Sequence, residues 1–229
     1  MTLLSRNRSG ERLRTLARIW LLLTCMALAS VRVNHAQTPL IASLPQTTRA
    51  DIVARAKKMA AHTWLCGSAN LRAACSRAYK SDWNSGQRVT GIPYRWGGVD
   101  GPEAFEQKLT EGLAAGSHSR YGVLSCATGI DCSGFVCLAW GLPLSGHAYS
   151  TGSLRQIAGK PKYNWFTDMK PGDVFDKPGS HVVLFVGYMP DGMINVCEAS
   201  GSAARVICHA TTWSRLKGYI PLQYKGIDE

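Results

Sequence analysis

Apolar residues return every three or four positions through TRADIVARAKKMAAHTWL, where Ile52, Val53, Ala56, Met59 and Ala60 fall on one face of a helix. Thr48 precedes that pattern and Asp51 sits in its first turn, so a capped amphipathic helix is predicted to begin there. A second helical stretch is predicted around PEAFEQKLTEGL, followed by extended chain around RYGVLSCA. The run Phe135, Val136, Leu138, Ala139 and Trp140 is apolar enough to be a buried helix opening at Cys132. From residue 172, β-branched and aromatic runs are broken by Pro-Gly, Pro-Asp-Gly and Ser-Gly turns, which predicts an antiparallel meander. The expected fold class is therefore α+β, with a central helix packed on an antiparallel sheet.

Two stretches lack either period. Residues 66–90 are rich in Ser, Asn and Gly, and GIPYRWGG is a tight turn carrying large rings. Neither an internal repeat nor a low-complexity tract is present.

The N-terminus carries a different signal. Arg6, Arg8, Arg12, Arg14 and Arg18 precede the apolar run Ile19 to Val31, with small residues at Ala29 and Ala36, the pattern of a secretory signal peptide. Residues 1–36 are read as that leader, 37–47 as a tether and 48–229 as one folded domain. An uncleaved anchor and a lipoprotein joined at Cys25 are the competing readings. The run is short for a membrane span, and Thr24 is a poor neighbour for a lipid-accepting cysteine. No second apolar segment follows, so the expectation is a secreted or periplasmic chain with no integral span once the leader is gone.

Losing the leader lowers the net charge from +11 to +6. That balance suits an anionic partner outside the cell, cell-wall polymer or a membrane surface, and equally a solubilising surface. The basic residues are scattered, which argues against nucleic acid.

Export also changes the meaning of the cysteines. Without Cys25 seven remain, and an odd number outside the cytoplasm leaves an unpaired thiol or an intermolecular bridge. With Cys132 as that thiol, Cys66 with Cys75 and Cys197 with Cys208 are close in sequence, leaving Cys126 with Cys137 by elimination. Paired C-x-x-C spacing is absent, so neither a metal nor another cofactor is expected.

Cys132 stands just before the first turn of its helix, where backbone N–H groups and the positive dipole end converge, a setting that favours a thiolate nucleophile. Cys137 lies roughly 140° around the same helix and should face packing or a bridge. Of the histidines, His181 stands at the mouth of a strand after a Pro-Gly-Ser turn, the best placed general base. His62, His118, His147 and His209 lack that setting.

These residues also carry a family resemblance. PYRWGG (Pro93 to Gly98), DCSGFV (Asp131 to Val136), Gln156, MKPGDVF (Met169 to Phe175) and HVVLFVG (His181 to Gly187) occur in the order of the NlpC/p60 family. The chain resembles these papain-like cysteine peptidases of bacterial cell wall over residues 48–201. The resemblance implies a papain-like NlpC/p60 fold, with Cys132 as nucleophile and His181 as base. It also implies that Tyr94 shapes the oxyanion site. Asp131 and Ser133 then fix the helix start, and Trp96 and Arg95 line the cleft, unless both simply pack on the surface.

Two departures from the family stand out. The family places a His, Asn or Gln on the strand after the base, whereas this chain offers Asn195 or Glu198, on opposite faces by strand alternation. Glu198 is preferred, because Asn195 shares its face with Cys197. Segments near 66–90 and 99–130 are insertions relative to the family and are expected to wall the cleft. The implied function is an exported cysteine peptidase or amidase that hydrolyses amide bonds of peptidoglycan stem peptides, with an inhibitor or immunity protein as a further partner. A non-catalytic wall-binding module and a secreted antibacterial effector with the same chemistry are the alternatives.

Overall fold

The computed structural model describes residues 44–143 and 149–228. The leader, most of the tether and His147 lie outside the described residues. Helix α1 spans Arg49–Ala61, α2 Pro102–Thr110 and α3 Cys132–Ala139. Thr48 caps α1 as its pattern predicts, its hydroxyl oxygen accepting from the Asp51 amide at 3.1 Å.

Short strands β1 (Thr63–Leu65) and β2 (Arg88–Thr90) pair antiparallel, while β3 (Ala114–Ala115) and β4 (Ala127–Thr128) pair parallel. The main sheet contains β5 (Ala158–Gly159), β6 (Val174–Lys177), β7 (His181–Tyr188), β8 (Ile194–Ser200), β9 (Arg205–Thr211) and β10 (Ile220–Tyr224). Its order is β5-β10-β6-β7-β8-β9, antiparallel throughout. The chain is thus α+β, with a central helix on an antiparallel sheet.

The pleat sorts the core into two layers. Val182, Leu184, Cys197 and Ala199 meet Ile52, Ala56 and Met59 of α1 and Phe135, Val136 and Ala139 of α3 on one face. Val183, Phe185, Ile194 and Val196 pack with Met169 on the other, beneath Trp213, Leu216 and Tyr219. Trp140 ends α3 by stacking on Tyr224 at 5.0 Å and donating its indole N–H to the Gly172 carbonyl at 3.0 Å. Arg55 of α1 donates to the Ala139 carbonyl at 2.7 Å, placing a cation at the negative end of α3. These contacts hold α3 from its C-terminal side, so its N-terminus is delivered to one end of the sheet.

Strand β10 went unread in the sequence because Pro221 interrupts it. Proline has no N–H to give a ladder and is confined to edge positions. Here β5 pairs only with Gln223 and Tyr224, so Pro221 bonds β6 on one side and needs no donor on the other.

The cysteine pairing differs from the expectation. Cys197 is joined to Cys208, its direct cross-strand neighbour, but Cys75 is joined to Cys126. Cys66 and Cys137 are buried free thiols. Elimination failed because it assumed full pairing, whereas apolar packing keeps both of these thiols reduced in separate places. The staple therefore joins the two intervening segments to each other. Within them, Tyr79 and Trp83 both donate to the Ala115 carbonyl, at 3.2 Å each, and Asn70 donates to the Leu109 and Leu113 carbonyls.

One core position is unfavourable. Asp176 on β6 is fully buried, and neither carboxylate oxygen has a hydrogen-bond partner among the described residues. Burial pushes its pKa up to about 6, against the pull of Arg155. A carboxyl whose folded pKa exceeds its unfolded value binds an extra proton on folding. Its contribution therefore turns against the fold as pH rises from about 4 to about 6. Asp176→Leu should stabilise the chain by about 1–3 kcal/mol at pH 7 and flatten this part of the pH profile, as read by chemical denaturation.

Candidate functional site

The site begins with the way α3 starts. Asp131 is the N-cap: its Oδ1 accepts from the Gly134 amide at 2.7 Å and the Ser133 hydroxyl at 3.0 Å, and its Oδ2 accepts from the Gly97 amide at 3.1 Å. One carboxylate thus joins the first turn of α3 to the Tyr94–Gly98 turn. Burial nevertheless pushes its pKa up against these hydrogen bonds. The two backbones approach so closely that a Cβ on Gly134 would stand 2.5 Å from the Gly98 carbonyl oxygen. Glycine is required there for space. Cys132 follows as the first helical residue, 5% exposed.

His181 is the first residue of β7. Its Nε2 lies 2.5 Å from Glu198 Oε2, and the Cys132 side chain is near enough to act on the ring. With Nε2 engaged by the carboxylate, Nδ1 is the ring nitrogen left for the thiol. Burial alone would lower the His181 pKa, but Cys132 and Glu198 together raise it to about 9. Burial would raise Glu198, yet the hydrogen bonds from His181 and His209 hold it below the usual carboxylate range.

The register explains why Glu198 reaches His181 and Asn195 does not. Asn195 pairs with Gly187, six residues along β7 from His181, roughly 20 Å of extended strand. Leu184 pairs with Cys197, so Glu198 lies across from Val183 and His181 is its diagonal neighbour on the same face.

The remaining expected residues divide. Tyr94 is buried close to Cys132; burial, then the charges of Cys132 and Asp131, push its phenol up. Trp96 is 40% exposed. The Arg95 guanidinium is turned inward, donating through Nε at 3.2 Å and Nη2 at 2.8 Å to the Leu124 carbonyl, with Asp100 at 4.0 Å. It braces the second intervening segment instead of facing an open cleft. The Cys137 thiol is pushed up to about 12 by burial.

Three neighbours were not anticipated. His118, from the second intervening segment, stacks on Tyr94 at 6.2 Å and binds Asp82, from the first, at 2.8 Å. Tyr219 feels Glu198, Cys132 and Asp176 together and lines a cavity of about 540 Å3 with Arg155, Lys160, Ile220 and Leu222. His209 places Nε2 2.8 Å from Glu198 Oε1. The cross-strand pairing of Cys197 with Cys208 was the signal for it, since that register puts Glu198 opposite Ile207 and His209 on the diagonal. Among the described residues, no group of three or more His, Cys, Asp or Glu side chains could hold a metal ion.

No protein-family model, curated protein or solved structure matches this chain.

The raised His181 pKa carries a pH signature. A base whose folded pKa exceeds its unfolded 6.5 stabilises the fold fully below that value and loses the contribution as pH rises through about 9. Glu198→Gln should lower the His181 midpoint by one unit or more, on the order of the effect of a neighbouring charge, as read by NMR of the imidazole. Asp131→Ala should cost about 0.5–2 kcal/mol of stability in denaturant, the loss of a helix cap.

Proposed function

We propose that the chain is an exported cysteine peptidase or amidase of the NlpC/p60 type, acting on amide bonds in the peptide stems of bacterial peptidoglycan. The observation that carries this reading is the His181–Glu198 pair, bonded at 2.5 Å, with Cys132 at the start of α3 beside the His181 ring. The motif order that resembles the family supports it from the sequence side, and two disulfides suit an oxidising compartment. No helix among the described residues is long and apolar enough to cross a membrane.

In the proposed reaction the Cys132 thiol passes its proton to His181 and its sulfur attacks the scissile carbonyl carbon, forming the C–S bond as the carbonyl π electrons move to oxygen. The Cys132 amide at the helix start and the Tyr94 hydroxyl would receive that charge. His181 then gives its proton to the departing amine as the C–N bond breaks, leaving a thioester. Water, losing a proton to His181, attacks the thioester and releases the carboxylic acid and the thiol. Glu198 keeps the imidazole oriented and favours its cationic form throughout. Arg155 and Lys160 on the cavity beside Tyr219 suit the carboxylates of stem peptides.

Digestion of purified peptidoglycan, with fragments read by mass spectrometry, tests the reading. The unmodified chain should release fragments, and Cys132→Ala should be slower by about a thousandfold or more, as for loss of a nucleophile. Binding to the wall without release by either protein would replace the hydrolase with a wall-binding module.

A further inference from the structure

We infer that His209 is a positioning residue that fixes the Glu198 carboxylate so that Oε2 stays on His181. The inference rests on the Cys132–His181 reading above and adds a fourth side chain to it. Glu198 stands on β8 between two diagonal histidines on its own face, His181 on β7 and His209 on β9. Each takes one carboxylate oxygen: His181 Nε2 lies 2.5 Å from Oε2 and His209 Nε2 lies 2.8 Å from Oε1. A glutamate stem has three rotatable bonds and its carboxylate turns freely about the last of them. A donor on one oxygen only would leave that rotation open. His209 closes it from the other side.

The His209 ring is itself held. Its Nδ1 lies 3.0 Å from the Ala210 carbonyl oxygen and its Nε2 faces Glu198, so both ring nitrogens meet acceptors, and the ring donates to both when it carries two protons. The Cys197–Cys208 bond next to it locks β9 to β8 one residue away. The charged and titratable groups around Glu198 are His181 from β7, His209 from β9 and Tyr219 ahead of β10, with Cys132 of α3 beyond His181. The His209 side chain is 35% exposed against 14% for Glu198, so the chain of contacts runs from solvent inward to the thiol.

His209→Leu keeps the volume and removes the donor; His209→Gln keeps a donor. The His181 titration midpoint, followed by NMR of the imidazole in the otherwise unaltered chain, should fall by about one pH unit in His209→Leu. It should return to within about 0.3 units of the unmodified chain in His209→Gln, because a positioned carboxylate is what holds it up. On stem peptide the same Leu variant should lose about tenfold in kcat with KM within about twofold, the scale of an outer-shell orienting contact. A His181 midpoint unchanged in His209→Leu would overturn the inference. A midpoint that rises would also overturn it, showing that His209 competes with His181 for Glu198. The titration needs no substrate, so a chain that cleaves nothing would refute the hydrolase reading and still decide the role of His209.

Discussion

Backbone contact between the first turn of α3 and the Tyr94–Gly98 turn governs the rest of the site. Gly134 lets the helix meet the Gly98 carbonyl, and the Asp131 carboxylate bonds both sides of the junction. Neither half could be set independently. The cap that starts the helix is also the bond that fixes the turn, so Cys132 and Tyr94 are placed relative to one another by the same carboxylate.

The sheet supplies the opposite half of the site under different rules. His181 and Glu198 are aligned by the antiparallel register of β7 and β8, and a disulfide between Cys197 and Cys208 ties β8 to β9 on its other side. Their charges are kept in a half-buried setting where each polar atom has a named partner, so burial strengthens the pairing. Asp176 shows the contrast. On the neighbouring strand β6, a more deeply buried acid has no hydrogen-bond partner among the described residues, and burial drives it toward its neutral form.

Much of this was legible from local pattern. The α1 cap, the apolar α3 and the meander each follow from periods and turn residues that act over a few positions. Glu198 over Asn195 was also legible, although alternation was only half the reason; the six-residue offset to Gly187 is the stronger constraint. What stayed hidden depends on chain segments far apart. The Cys75–Cys126 bond links positions 51 residues apart, and nothing near either cysteine names the other. His118 meets Tyr94 only after two irregular segments fold together. Arg95 looked free because its acceptor, the Leu124 carbonyl, is a backbone atom that no side-chain pattern can advertise.

The long disulfide has a topological effect beyond its contribution to stability. Residues 75 and 126 close a covalent ring that contains α2 and the whole Tyr94–Gly98 turn. His118 and Asp82, the pair resting against Tyr94, belong to the same ring. Val123, the most exposed large apolar residue among the described residues, marks a surface loop inside it, the sort of place where proteases cut. A single nick within the ring opens the chain without releasing either piece. The two segments the disulfide joins, with His118 against Tyr94, therefore stay attached after a first cut.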